Sequence, residues 1–307
     1  MTARYERVLL AHGGGGSLSG TLIREIFLPA FRNEALACLA DAAVLPPMRS
    51  GARFAFTTDS YVISPPFFPG GDIGRLAVAG TVNDLAVSGA DPLYLACSFV
   101  LEEGFLMADL QRIAASMAVT AVEAGVALVT GDTKVVERGA ADGIFITTAG
   151  VGVLRDLPLG WGVPQPGDAV LVNGTLGDHG FAVLAAREGL GFSTPLQSDC
   201  APLGGIIGDM FSAGIRLRFL RAATRGGLAA ILNELVSGRR WGVCLDESSL
   251  PLSPGVRSLS EILGYRPSVR GQRGQVRSHR RSGGRGASAR SHAGPSAGTP
   301  GGRRGPD

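Results

Sequence analysis

The amino-acid sequence predicts a chain of mixed α/β and α+β class, with two folded domains and then a tail that is not expected to fold. Three observations carry this. At 307 residues there is room for about two domains of roughly 150 residues each. Segments with strand character alternate with segments of helical period, the pattern of layered α/β or α+β folds. Composition changes abruptly near residue 265: from Arg266 onward there are 10 Arg, no Lys and one acid, a net +9, against −6 for the residues before it.

The strand-like pieces are RFAFTTDS (53–60), PLYLACSFV (92–100), VALVTGD (126–132), GIFITTAGVGV (143–153), DAVLVNG (168–174) and WGVCLD (241–246), all rich in β-branched and aromatic residues. Helical pieces fall between them. Asp72 is placed to cap a helix over DIGRLAVAGTVNDLAVSG, and Gly125 to end one that starts near Met107. Further helices are expected at GFAVLAAREG (180–189), GGIIGDMFSAG (204–214) and GGLAAILNELVSG (226–238). The Pro- and Gly-rich join LPLGWGVPQPGD (157–168) has neither period and marks a connection. The expected division is therefore an N-terminal α/β domain at 1–156, an α+β domain at 157–265 and a tail at 266–307. That tail has no Leu, Ile, Phe, Met, Trp or Tyr to offset the roughly 1–2 kcal/mol per residue of ordering, so disorder is expected there.

Composition excludes several classes of function. No apolar run approaches the roughly 20 residues of a membrane span, and MTARYERVLLAHGG lacks a signal-peptide pattern, so a soluble cytoplasmic protein with no membrane partner is expected. Cys38, Cys97, Cys200 and Cys244 lie far apart with no CxxC pair, which suggests neither zinc nor disulfides. The Arg-rich tail has no interleaved aromatics, so nucleic acid is not an expected partner.

Six stretches could carry chemistry. His12-Gly13-Gly14-Gly15-Gly16-Ser17 lacks the Lys of a P-loop, yet bare glycine backbone can lay N–H groups against phosphate; a flexible lead-in is the other reading. Asp59 stands where a strand runs out, Asn83 and Asp84 interrupt an apolar helix, and Asp132 follows a strand. Three such acids suit one Mg²⁺ that bridges carboxylates to phosphates, although each alone suits a cap or turn. Lys134 is the only lysine among 28 arginines, beside Asp132, where a compact ammonium can meet a phosphate or simply sit on a surface loop. Thr224-Arg225-Gly226-Gly227 opens a helix, a place for an anion or for a plain threonine cap. His179, at another helix start, fits proton transfer and a local hydrogen bond equally.

Taken in order, these stretches resemble the HypE hydrogenase maturation family of the aminoimidazole ribonucleotide synthetase and selenophosphate synthetase superfamily, the PurM-like proteins. The likeness covers about residues 5–265 and rests on AHGGGG (11–16), TTDSYVISPPFFPGGDIGRLAVAGTVNDLAVSGADP (57–92), VTGDTKVVERG (129–139), PGDAVLVNGTLGDHG (166–180) and TRGGLAAILNE (224–234). It implies an N-terminal domain whose strands build a β-barrel across a homodimer, an α+β domain after it, and ATP in the cleft. By motif matching, Asp59, Asp84 and Asp132 would hold Mg²⁺. Asn83, Thr133, Lys134, Thr224, Gly226 and Gly227 would line the phosphate site, and Gly13, Gly14, Gly15 and Gly16 would close over the nucleotide. The implied activity is ATP-dependent dehydration of a carboxamide, placed by HypF on a C-terminal cysteine thiol, to a thiocyanate. The cyanide then passes to iron on HypC–HypD for the [NiFe] centre.

Three departures from the family stand out. The family's Asp two residues ahead of the motif threonine is Ala222 here, and its later strands give way to the Arg-rich tail. The chain ends in Gly305-Pro306-Asp307 rather than cysteine, so no catalytic thiol is intact and an inactive enzyme, or alternatively a non-catalytic dimeric scaffold for HypF or HypC–HypD, is expected. The tail reads as a shifted frame: RGQRGQVRSHRR (270–281) has an encoding that, moved forward by one nucleotide, gives VANEGKFVAIVA, a strand-like string with the ANEGK segment of the family.

Overall fold

The computed structural model describes residues 17–27, 37–44, 51–156, 159–160, 163–188, 196–224, 226–264 and 277–278. Gly13 to Gly16, Arg225 and all of the tail except Arg277–Ser278 lie outside the described residues. A short helix, α1 (Ser17–Leu22), runs on into a π-helical turn at Ile23–Phe27.

The centre is a five-stranded sheet built from β1 (Ala43–Val44), β2 (Phe54–Tyr61), β5 (Ala90–Glu102), β6 (Ala127–Val136) and β7 (Ile144–Leu154), in the order β1-β2-β7-β5-β6. All neighbours run antiparallel except β5 and β6. A parallel pair needs a crossover, and helix α3 (Met107–Ala124) supplies it. Between β2 and β5 the chain makes a two-stranded hairpin, β3 (Phe67–Phe68) with β4 (Gly71–Asp72), and enters α2 (Ile73–Val87). The expected caps are both present. Asp72 accepts hydrogen bonds from the N–H groups of Gly74 and Arg75, and Gly125 ends α3 with φ at 68°, a conformation that glycine adopts without strain.

Helices α2 and α3 cover one face of the sheet. Ile73, Ala77, Val78 and Val82 of α2 and Ile113 and Met117 of α3 bury Leu95, Cys97, Ile144 and Ile146 of the strands. The two helices approach closely at Gly74, where a Cβ would stand 2.7 Å from the Ile113 carbonyl oxygen and 2.8 Å from Met117 Cγ. The other face is open. Phe56, Val151, Tyr94 and Ala127 form a row across it by register, with Phe56 47% and Tyr94 50% exposed. Strand β6 is exposed through Val135, at the sheet's edge.

The second half is helical among the described residues: α4 (Asp178–Glu188), α5 (Gly204–Ser212), α6 (Gly227–Val236) and α7 (Pro254–Leu263). Phe181 and Ala182 of α4 pack with Leu196, Val256 and Leu259, while Ile207 of α5 packs on Ala86 and Val87 at the end of α2. Two expected strands change. Asp168–Gly174 pairs with no strand among the described residues, and Leu171 is 73% exposed, because β-branched content alone makes no strand without a neighbour for its backbone groups. WGVCLD contracts to β8 (Cys244–Leu245), paired in parallel with β9 (Arg277–Ser278). Helix α7 was not expected, although Ser253 caps it, Pro254 takes its first position and Gly264 ends it.

Candidate functional site

The site is assembled from sheet, helix and second-half segments at one junction. Asp59 lies near the end of β2, and its Oδ1 accepts the Ser60 N–H at 2.8 Å. The pleat turns Asp59 to the face covered by α2, the face of buried Ala55, Thr57 and Tyr61. Asp84 comes from the last turn of α2. Asp41, just ahead of β1, is fixed by Thr57, whose hydroxyl donates to the Asp41 carbonyl at 2.8 Å.

These carboxyls feel one another. Burial pushes the Asp84 carboxyl up to about 8, helped by the charges of Asp41 and Asp59 and opposed by Arg221. Burial likewise raises Asp41 to about 6, with Arg221 opposing and Glu234 adding to the rise. Arg221 Nη1 stands 2.8 Å from Asp41 Oδ1, and its Nη2 is 3.8 Å from Glu234 Oε2 on α6. Behind the acids runs a buried hydroxyl chain: Tyr61 Oη to Thr81 Oγ1 at 3.1 Å, Thr81 to Thr148, and Thr148 Oγ1 donating to the Ala77 carbonyl at 3.1 Å. Among the described residues no buried side-chain N or O lacks a partner.

Asn83 uses both ends of its amide on the second half of the chain. Its Nδ2 donates to the Ala201 carbonyl at 3.0 Å and its Oδ1 accepts the Leu203 N–H at 2.7 Å. The loop at Thr224 closes through its carbonyl, which accepts the Gly227 N–H at 3.1 Å. Gly226 takes the cap position of α6, with φ 81° there and 58° at Gly227, so the threonine hydroxyl is not the cap. His179 Nδ1 meets Ser198 Oγ at 2.9 Å against the edge of Phe68, and burial lowers its pKa; of its two readings, the local hydrogen bond is the one present.

Asp132, Thr133 and Lys134 lie elsewhere on the sheet. Cross-strand partners share a face. Asp59 pairs with Thr148, Thr148 with Cys97 and Cys97 with Gly131, so Asp132 stands on the opposite face, in the row of Ser98, Thr147 and Ser60. Three strand spacings put it about 14 Å from the Asp59 end of that ladder. There Lys134 Nζ lies 2.8 Å from Asp132 Oδ2, and this contact, followed by the Thr133 N–H, holds the Asp132 carboxyl below the usual range. Among the described residues no three acids, histidines or cysteines form a ready-made metal cage. Sequence reasoning missed Asp41, Arg221 and Glu234, because an acid ahead of a two-residue strand and an arginine 180 positions away share no spacing that links them.

A sheet packed on two helices, a second half docked onto α2 and acids gathered at the junction define a class of protein. Residues 39–154 match the AIR synthase related protein N-terminal domain and residues 165–267 its C-terminal domain, and the chain belongs to this family. Within it the chain is a member of the HypE group. It is 52% identical over 273 residues to the carbamoyl dehydratase HypE of Rhodobacter capsulatus, across 87% of this chain and 79% of that one. The HypE of Escherichia coli K12 is 49% identical over 263 residues, 84% of this chain and 77% of that one. A crystal structure of a HypE–HypF complex superposes with a TM-score of 0.74 at 47% identity, covering 80% of both chains. HypE in complex with ATP gives 0.69 at 44% identity, covering 86% of this chain and 78% of that one. Thiamine monophosphate kinase of Aquifex aeolicus, at 17% identity and a TM-score of 0.59 over 82% of this chain and 84% of that one, shares the fold alone. No helix among the described residues is long and apolar enough to cross a membrane.

Proposed function

We propose that this protein is of the HypE type, a [NiFe] hydrogenase maturation factor built to use ATP in dehydrating an S-carboxamide to a thiocyanate, although the terminal thiol that would carry the carboxamide is absent from this sequence. The supporting observation is the crowding of Asp41, Asp59 and Asp84 at the junction of the two halves, in a chain about half identical to carbamoyl dehydratases. An amide oxygen is a poor leaving group. Attack of that oxygen on the γ-phosphorus of ATP releases ADP; loss of the amide protons and of the new phosphate then leaves S–C≡N, so the products are thiocyanate, ADP and phosphate. Protein groups contribute mostly position and charge to such a transfer.

The carboxylates fit a magnesium ion. Hard oxygen donors suit it, and a divalent charge would relieve the repulsion that Asp41 and Asp59 exert on Asp84. Asp41, Asp59 and Asp84 would hold Mg²⁺, which would supply neutralisation of phosphate charge. The start of α6 beyond the Gly226–Gly227 turn, next to Thr224, would offer backbone N–H groups and the helix dipole to an anion. Asn83 holds the 201–203 segment against α2, beside Asp84.

Asp132 and Lys134 enter this reading through a second copy. One chain holds them on the far face of its edge strand, while the row Phe56, Val151, Tyr94, Ala127 offers an apolar face for another sheet to cover. A homodimer whose strands close a barrel would bring Thr133 and Lys134 of one copy to the acids of the other, with Asp132 joining the cation's ligands. HypF would load the carboxamide and HypC–HypD would receive the cyanide.

Mixed dimers test this reading. Two full-length chains with different tags, Asp84→Asn and Lys134→Ala, are co-expressed and titrated with Mg·ATP by calorimetry. Neither variant alone binds, and the mixed dimer regains one site per two chains. A mixed dimer with no site refutes the shared arrangement, and a folded wild-type chain that binds no Mg·ATP refutes the nucleotide reading itself.

A further inference from the structure

Arg221 belongs to no motif recognised in the sequence, yet it ties the two halves together at the acids. Its guanidinium meets Asp41 at 2.8 Å, with the side chains only 20% and 14% exposed, and reaches toward Glu234 at 3.8 Å, beyond hydrogen-bonding range. It also bears on Asp84, so one cation answers several neighbouring acids. The segment that carries it leads within three residues to Thr224 and then to the left-handed Gly226–Gly227 turn at the start of α6. Lys134 of the same chain is on the other face of the sheet, paired with Asp132.

We propose that Arg221 is an exchangeable counter-ion that becomes a ligand of the nucleotide's polyphosphate. This rests on reading the junction as the Mg·ATP site. A divalent cation among Asp41, Asp59 and Asp84 takes over the charge that Arg221 now balances and repels the guanidinium. Arg221 is then left beside the phosphates that arrive with the cation, and its planar fork of donors suits two phosphate oxygens at once. Glu234, about two helix turns beyond the start of α6, is a second carboxylate that competes with the phosphates for the guanidinium. Arg221 thereby couples binding of the cation to binding of the nucleotide, and the movement needed is a side-chain rotation.

The decisive feature is a pair of effects with opposite sign. In full-length Arg221→Gln, Mn²⁺ binding without nucleotide, read by electron paramagnetic resonance, tightens about tenfold because its competitor is gone. ATP binding at saturating Mg²⁺, read by calorimetry, weakens about tenfold, and Arg221→Lys falls between. Loss of both affinities together identifies Arg221 as a structural tie only and overturns the proposal, as does unchanged ATP affinity. A wild-type chain that takes Mn²⁺ but no ATP overturns the nucleotide reading on which it rests. Should Arg221→Gln fail to fold, Glu234→Gln decides: releasing the guanidinium from its second partner strengthens ATP binding two- to three-fold, and weaker or equal binding refutes the exchange.

Discussion

Replacing Asp84 by Asn keeps the shape of the side chain and removes its charge, which turns the crowding of the acids into a measurable stability. The Asp84 carboxyl titrates at about 8 in the folded chain against an ordinary 3.8. The folded state therefore holds a proton that the unfolded state gives up. That contribution is full below about pH 4 and is lost steadily as the pH rises toward 8. At about 1.4 kcal/mol per pH unit, the wild-type chain in a chelator loses on the order of 4 kcal/mol from this group between pH 4 and 7. Asp84→Asn loses none of it. Urea unfolding at pH 4.5, 6, 7 and 8.5 gives both curves. The variant approaches wild type at the acid end and exceeds it increasingly from about pH 4 up to about pH 8. Even a third of the expected gap moves the midpoint by about 0.7 M at a slope of about 2 kcal/mol/M. Saturating Mg²⁺ restores part of the wild-type loss above pH 7 and leaves the variant unchanged. Parallel pH curves for the two proteins would refute the argument that burial and neighbouring acids press on Asp84.

Two packing predictions complement this one. Gly74→Ala forces a methyl to within 2.8 Å of the Ile113 carbonyl and Met117, so α2 and α3 must separate; a loss of about 2 kcal/mol or more is expected in denaturant unfolding, and a neutral result would show that the helices yield freely. Asn83→Ala removes two hydrogen bonds and leaves the Ala201 carbonyl and the Leu203 N–H seeking partners; about 2 kcal/mol is expected to be lost, with faster amide exchange at Leu203 and α5, and unaltered exchange there would remove Asn83 as the clamp.

Local chemistry was legible in the sequence wherever one segment settled its own conformation. Asp72 caps α2 because its carboxylate reaches N–H groups two and three residues on, and Gly125 ends α3 because only a positive φ continues the chain there. The four long strands carry enough β-branched and aromatic residues to be read directly. Asp168–Gly174 shows the limit, since its apolar, β-branched run looked the same as theirs and only the presence of a neighbour makes a strand. Likewise Ser253, Pro254 and Gly264 held the signature of α7, whose burial depends on Phe181 and Leu196 from elsewhere.

The sequence by itself determined the mixed layering, the caps of α2 and α3 and the stretches in which Asp59, Asp84 and Asp132 lie. Tertiary structure alone decided which of those acids meet. Asp59 and Asp132 look alike as carboxylates at strand ends, but β7 and β5 intervene between their strands, and the pleat turns them to opposite faces. Asp41 and Arg221, 180 residues apart, come within 2.8 Å because β1 adds to β2 while the second half docks against α2. Strand order and face are set by long-range pairing and burial, which no local spacing encodes.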